Sequence, residues 1–260
     1  MNKLNATFQV EFKKAIKSKI LLVTIIIFLF IPLMMGLMLY ISTHPEVADK
    51  LGIIGTKAKM FGENTWQGYF ALLSQSVASL GLIGFGFVTC WVYGREHNDR
   101  TMKDILSLPV PRSSYVFAKM MVVFLWSAFL SVILFAVSIS LGLFLSIPGW
   151  SSADFISFST HYFASVFLTF LLCSPIAWLS GYSRGIIAPL GFVIFTMIMA
   201  QFIGIIGLGP YFPWAIPGLF SVAKEGQGME VTLVSFIILS LTFIIGYIAT
   251  VRWWYRADHH

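Results

Sequence analysis

The side chains most often used in catalysis are few in this chain, and their spacing fits none of the common active sites. His44, His97 and His161 lie far apart in sequence, and Glu96-His97 lacks the second histidine of an H-E-x-x-H zinc site. On a single helix, the nineteen residues between His161 and Ser180 would hold the two side chains about 28 Å apart, too far for a serine hydrolase. No G-x-x-x-x-G-K-S/T run is present to cradle phosphates. The sequence therefore predicts that this chain is not an enzyme and binds neither a metal nor a cofactor.

Charge is concentrated instead in one segment, residues 93–114, the charged island, which separates two long apolar runs. Thr101 with Asp104 three residues later forms a weak variant of the helix capping box, and apolar residues in the same stretch share one helix face. A short amphipathic helix held between two membrane helices could pass force from a partner protein into the membrane. A solvated polar loop agrees with the periodicity equally well. The candidate partner-contacting residues are Glu96, Asp99, Arg100, Met102, Lys103, Asp104, Ile105 and Leu106.

Six apolar runs position this island, and they define the fold class. The chain is 58% hydrophobic and only 11% charged, far below the roughly 25% charged residues of soluble domains. Because a bilayer core of about 30 Å needs about 20 apolar residues per helix, each run is long enough to span a membrane. We predict an all-α, polytopic membrane protein with a single transmembrane domain over residues 1–258, followed by His259 and His260 as a probable tag remnant. The predicted spans are residues 20–41, 69–93, 115–147, 155–179, 186–208 and 231–251.

The distribution of basic residues predicts how these helices are oriented. Most Lys and Arg residues lie in the N-terminal arm, in the charged island and after the sixth run, which all flank the same side of the membrane. Because basic residues favour cytoplasmic flanks, we expect both termini and the island to face the cytosol at the plasma membrane. The formal net charge of +6 is then an orientation signal and does not indicate a nucleic-acid partner.

Apolar and basic residues separate onto two faces in the N-terminal arm. Phe8 and Phe12 recur at helical spacing, whereas Lys13, Lys14 and Lys17 fall largely on another face. This pattern predicts an interfacial helix, the elbow helix, lying on the inner leaflet with membrane lipids as its partners. The alternative is an ordinary basic flank that only sets the topology.

Polar residues within the apolar runs are candidates for a translocation path. Gln75 and Gln201 could line a conduit, although hydrogen bonding between helices is an equally good role, and Ser74, Gln75 and Ala78 could form a dimer face on the second run. Apart from Lys119, the six runs contain no charged residue. Ion-coupled transporters keep ionisable groups inside the membrane, so this composition favours transport that is energised elsewhere. A secondary transporter, a channel, and a non-transporting adaptor or sensor subunit remain the alternatives.

The segment LGPYFPWAIPGLFS between the fifth and sixth runs is rich in proline and aromatic residues. Pro213 and Pro217 around Trp214 favour a broken, partly re-entrant external hairpin whose indole ring lies at the headgroup level. A plain external loop with Trp214 as an interfacial anchor is the alternative.

Two stretches resemble known permeases. The run WVYGREHNDRTMKDILSLPVPRSSYVFAKM is similar to the segment joining spans two and three in the membrane subunits of ATP-binding-cassette (ABC) exporters of the second type. It departs from the commonest form at Arg100, where that family usually has glycine. The external segment LGPYFPWAIPGLFS resembles that of the bacitracin-resistance and lantibiotic-immunity permeases.

The resemblance implies a division of labour between subunits. Two permease chains, identical or homologous, would form the conduit, and two copies of a cytosolic ABC ATPase would bind beneath them. ATP and Mg²⁺ would be bound by the ATPase and not by this chain. The charged island would dock on the ATPase, and its movement would drive export of an amphipathic substrate, such as a peptide antibiotic, a drug or a lipid-like compound.

Overall fold

The chain folds into a bundle of long helices. The computed structural model describes residues 3–44, 46, 65–102, 109–223 and 231–256, and all regular structure within those ranges is helical. Six helical segments are long and apolar enough to cross a membrane, which confirms the predicted all-α, six-span class. The elements are α1 (Lys3–Ile16), α2 (Lys19–Thr43), α3 (Trp66–Asn98), α4 (Arg112–Phe144), α5 (Ser152–Leu171), α6 (Cys173–Tyr182), α7 (Ile187–Ile206), a 3₁₀ turn (Gly209–Tyr211), α8 (Ile216–Ala223) and α9 (Leu233–Arg256).

Helix α3 is longer than its apolar run, because it continues to Asn98 where the run ends near Tyr93. Arg100 then adopts a left-handed backbone with φ of 56°, and the Thr101 N–H donates to the Glu96 carbonyl over 3.0 Å. This hydrogen-bond pattern is that of a Schellman motif, in which the left-handed position is usually glycine. Arg100 therefore takes a conformation that glycine would adopt without steric cost.

The fourth predicted span consists of two helices, α5 and α6, joined at Leu172. Pro175 lies in the first turn of α6 and has no N–H to donate to Leu171, so the helical hydrogen bonding is interrupted here. Helix α6 packs along α9, and a Cβ on Gly246 would lie only 2.5 Å from the Pro175 nitrogen. Only glycine allows the two backbones to approach this closely.

Helix α4 lies at the centre of the bundle and packs against α1, α2, α3, α5 and α9. Three buried tyrosines donate their hydroxyl groups to its backbone carbonyls: Tyr93 to Val116, Tyr162 to Ser131, and Tyr69 to Ser138. Each phenol thereby finds the partner that a buried hydroxyl requires. In contrast, α2, α7 and α9 bury only about a fifth of their apolar stretches inside the bundle, as expected for helices that contact lipid or a second chain.

Candidate functional site

A buried cluster of charged side chains joins α1, α3 and α4 at one end of the bundle, the charged end. We call Glu11, Lys14, Arg95, Glu96 and Lys119 the ion-pair cluster. Arg95 Nη2 lies 2.7 Å from Glu11 Oε2, and Arg95 Nε lies 3.2 Å from Glu96 Oε1. Lys14 Nζ lies 2.9 Å from Glu11 Oε1. The cluster therefore ties the N-terminal helix to the end of the second span.

Lys119 is the centre of the cluster and is fully buried. Its ammonium group lies 3.0 Å from Glu11 Oε2, 2.7 Å from Glu96 Oε1 and 2.8 Å from the Val92 carbonyl. An ammonium group has three N–H donors, and all three have acceptors here. The two buried carboxylates balance the charges of Lys119 and Arg95, as burial of charge requires. Within the described part of the chain, Glu96 Oε2 has no hydrogen-bond partner.

The electrostatics of the cluster hold Glu11 ionised. Burial on its own raises the pKa of Glu11, but attraction by Lys119, Arg95 and Lys14 outweighs it and lowers that pKa from 4.5 to about 2. The Arg95 guanidinium also lies over the Trp91 ring, 4.7 Å from its centroid, a favourable cation–π contact. Glu11 is consequently ionised at neutral pH and paired with cations on α1, α3 and α4.

The predicted partner-contacting residues lie in different surroundings. Glu96 is buried in the ion-pair cluster and faces α1 and α4, whereas Asp99 and Arg100 are exposed at the end of α3. Met102 is buried. Lys103, Asp104, Ile105 and Leu106 lie outside the described residues. Contact with an ATPase through this segment stays a prediction, and within it Asp99 and Arg100 are the described charges available at the surface.

The C-terminal part of the charged island is anchored at two points. Lys3 Nζ donates to the Pro109 carbonyl over 3.1 Å. Arg112 Nη1 donates to the carbonyls of Trp254 and Tyr255, at 2.8 and 3.0 Å, in the last turn of α9. A cation at this position can hydrogen-bond to carbonyls that have no partner within the helix. It also interacts favourably with the negative end of the helix dipole. The first and last helices are thus both attached to the C-terminal part of the island.

The predicted elbow helix corresponds to α1 in the structure. Thr7, Glu11 and Ala15 are buried at four-residue spacing and pack against α4. Phe8 packs against the core and stacks on Phe12, with ring centroids 5.6 Å apart. The three predicted basic residues, Lys13, Lys14 and Lys17, are exposed. The position of α1 on the inner leaflet stays a prediction.

Sequence reasoning missed Glu11, Arg95 and most of the role of Lys119. A lysine inside an apolar run needs a partner, so Lys119 carried a usable signal. Glu11 carried another, because it falls between Thr7 and Ala15 on one face of α1. Neither signal identifies the partner, since Arg95 and Glu11 are 84 residues apart in sequence.

The predicted conduit residues fall mostly on one groove. Gln75, Ala78 and Gln201 line a groove of about 440 Å³ between α3, α7 and α8, whose remaining lining is largely apolar. Ser74 does not line it, because it is buried on a neighbouring face of α3. Trp214 lies at the same groove, so the external segment contributes to its wall.

The segment after α7 folds back along that helix. Gly207, with φ of 95°, ends α7, and the Trp214 ring lies 5.4 Å from the ring of Phe192. Phe192 is fourteen residues before the end of α7, about 21 Å along the axis. The chain therefore turns back at Gly207 along α7, and the indole packs beside that helix. The position of the indole relative to the headgroups stays a prediction.

The two predicted prolines lie on either side of the bend at Trp214. Pro213 precedes Trp214, and Pro217 is the second residue of α8, where a missing N–H costs no helical hydrogen bond. Helix α8 then returns outward until Phe220 stacks on His161, with centroids 4.5 Å apart. The predicted broken hairpin thus corresponds to the 3₁₀ turn, the bend at Trp214 and α8.

Comparison with known proteins agrees with this architecture. The family model described as ABC-2 family transporter protein matches residues 7–200, a range that includes the ion-pair cluster and the charged island. The bacitracin transport permease protein BCRB of Bacillus licheniformis is 25% identical over 185 residues, which cover 71% of this chain and 88% of that protein. No solved structure matches significantly. The chain therefore belongs to the ABC-2 transporter family and is a multi-pass permease subunit.

Proposed function

We propose that this chain is the membrane subunit of an ABC exporter driven by a separate cytosolic ATPase. Two ATPase copies, with ATP and Mg²⁺, would power two permease chains, identical or homologous. Membership in the ABC-2 family supports this assembly. The concentration of basic residues at the charged end supports its placement in the cytosol, with both termini inside the cell.

The observation that carries the proposal is the unbroken course of α3 from groove to island. The helix is continuous from Trp66 to Asn98 and places Gln75 and Ala78 at the groove and Asp99 just beyond its other end. Twenty-one residues separate Ala78 from Asp99, about 32 Å along the helix. A displacement of the exposed turn at Asp99 would reach the groove along one rigid element.

The ion-pair cluster would make α1, α3 and α4 move together when the turn at Asp99 is displaced. Arg95 and Glu96 lie one turn before the end of α3 and pair with Glu11 of α1 and Lys119 of α4. Breaking these buried pairs singly would cost about 3–5 kcal/mol. Force applied at the turn would therefore move the three helices together and favour one of two arrangements of the bundle.

The lining of the groove supports an amphipathic substrate. Amide groups of Gln75 and Gln201 and hydroxyl groups of Ser76 and Ser79 are distributed among apolar side chains. Such a surface can contact both a hydrophobic face and peptide or hydroxyl groups. The relative named as a bacitracin transport permease makes bacitracin the first peptide antibiotic to test.

Co-purification from native membranes tests the proposal. We expect an ABC ATPase to accompany the tagged chain, and Asp99→Lys to reduce its recovery several-fold without lowering the amount of inserted chain. Glu46→Lys is the matched control, because it reverses the charge of an exposed carboxylate just after the C-terminal end of α2. Reproducible absence of an ATPase would refute the exporter and favour a secondary transporter. A bound ATPase with no effect on bacitracin resistance or export would favour a sensor or adaptor.

A further inference from the structure

An apolar crevice opens on the outer surface of the chain where α1, α2 and α4 meet. Its volume is about 350 Å³, and its lining is free of polar side chains except for the indole nitrogen of Trp126. That nitrogen donates to Thr24 Oγ1 over 3.1 Å, so it is already satisfied. Phe129 on α4 is 49% exposed at the crevice. The principal lining residues are Phe12, Ala15, Ile16, Leu21, Trp126 and Phe129.

Three lysines border the crevice along the chain. Lys13 follows Phe12, Lys17 follows Ile16, and Lys19 precedes Leu21 by two residues. All three are exposed. None has an ion-pair partner in the part of the chain that the structure describes, in contrast to Lys14, which pairs with Glu11. Lys13 and Lys17 each lie one residue, about 100° around the axis of α1, beyond the lining residues Phe12 and Ile16. Positive charge without an ion-pair partner therefore flanks the lining residues of the apolar slot.

We propose that this crevice binds one anionic phospholipid of the leaflet at the charged end. An acyl chain occupies the slot between α1, α2 and α4, and the phosphate group lies against Lys13, Lys17 and Lys19. Each buried CH₂ group and each lysine adds to the affinity, so that both halves of the lipid are recognised. The N-terminus of α2 begins at Lys19, and its dipole adds further attraction for the phosphate.

Charge excludes the main competing occupant. A second copy of this chain docked by two-fold symmetry would bring like surfaces together, so the exposed lysines of the two copies would repel one another. A zwitterionic lipid would fill the slot but leave the lysines without a net negative partner. The anionic lipid uses both features at once.

The position of the crevice beside the ion-pair cluster would let a bound lipid influence the coupling between the ATPase and the helices. Ala15 lines the crevice and lies one turn after Glu11 of the ion-pair cluster. A lipid in the slot would hold α1 against α2 and α4 and keep Glu11 in place. The proposal goes beyond transport itself, and its test does not depend on the substrate or the ATPase.

Native mass spectrometry of the purified chain, released from nanodiscs of equal phosphatidylglycerol and phosphatidylcholine, tests the site. We expect one retained phosphatidylglycerol per chain, and a fall in its preference of about fivefold for each lysine replaced in K13Q, K17Q and K19Q. Leu125 also lines the crevice and is partly exposed, so Leu125→Trp should narrow the slot and displace the lipid. Arg252→Gln with Arg256→Gln removes exposed charge at the end of α9 and should leave the preference unchanged.

The other outcomes overturn the proposal in distinct ways. Equal retention of the two lipids by the wild-type chain would show only a non-selective lipid shell. Loss of preference in the lysine variants with full retention in Leu125→Trp would show headgroup attraction without a slot. A change of oligomeric state in Leu125→Trp that is independent of lipid would assign the crevice to a second copy.

Discussion

Replacing Lys119 by methionine removes the central cation of the ion-pair cluster while nearly conserving volume. The substitution leaves Glu11, Glu96 and the Val92 carbonyl without a donor that now lies within 3.0 Å of each. Because Lys119 is completely buried, water cannot replace its hydrogen bonds to these three acceptors. Breaking a buried ion pair by removing one partner typically costs about 3–5 kcal/mol, and we expect a loss in that range.

The assay is the apparent unfolding midpoint of the purified chain in detergent. At about 2–4 °C per kcal/mol for a chain of roughly this size, Lys119→Met should lower the midpoint by about 6–20 °C. Lys13→Met, at an exposed and unpaired lysine, is the control and should change stability by less than about 0.5 kcal/mol.

A double variant separates charge from packing. Adding Glu96→Gln to Lys119→Met restores the charge balance and leaves Glu11 paired with Arg95 and Lys14. The double variant should therefore be more stable than the sum of the two single changes by at least about 1 kcal/mol. A Lys119→Met variant as stable as Lys13→Met, or strict additivity in the cycle, would refute the cluster as a structural joint.

Three further predictions follow from particular positions. The pKa of Glu11 is lowered from 4.5 to about 2, so its contribution to stability is complete above about pH 4.5 and is lost toward pH 2; the free energy of unfolding measured against pH should fall by about 3 kcal/mol, and Glu11→Gln should abolish that fall. Arg100→Gly, at φ of 56°, should leave the free energy of unfolding equal or raise it by up to about 1 kcal/mol, whereas Arg100→Val should lower it by about as much; a stabilising valine would contradict the left-handed turn. Gly246→Ala should lower the free energy of unfolding by about 1–3 kcal/mol because its Cβ would meet the α6 backbone, whereas Gly191→Ala, whose Cβ meets open space, should be neutral or stabilising.

The six spans were predictable because bilayer thickness alone fixes the length of an apolar run. Helix α2 shows this well, since the predicted span of residues 20–41 lies within the observed Lys19–Thr43. The same criterion gives the apolar span of residues 69–93 but not the end of the helix, because it counts apolar residues and α3 continues through Arg95 and Glu96. It also missed the break before α6, although Pro175 provided a local signal.

The site was predictable only where local pattern determined it. Polarity inside apolar runs selected Gln75 and Gln201, which the structure places at one groove, and their role in a conduit or a dimer face stays a prediction. The same criterion also selected Ser74, which is buried inside the bundle. Adjacent residues of an α-helix point about 100° apart, so Ser74 and Gln75 face different surroundings. The ion-pair cluster was not predictable, since its partners come from three elements and are matched only when those elements pack.

The most direct test of energy coupling is ATP-dependent access to the groove. Gln201→Cys places a thiol in the groove, and the native Cys90 and Cys173 are buried, so a membrane-impermeant thiol reagent should label the new cysteine selectively. In membranes that contain the chain and its co-purifying ATPase, the labelling rate should change several-fold when ATP and vanadate are added, and Asp99→Lys should abolish that change. An identical labelling rate with and without ATP, while the ATPase remains bound, would contradict transmission of ATPase movement to the groove.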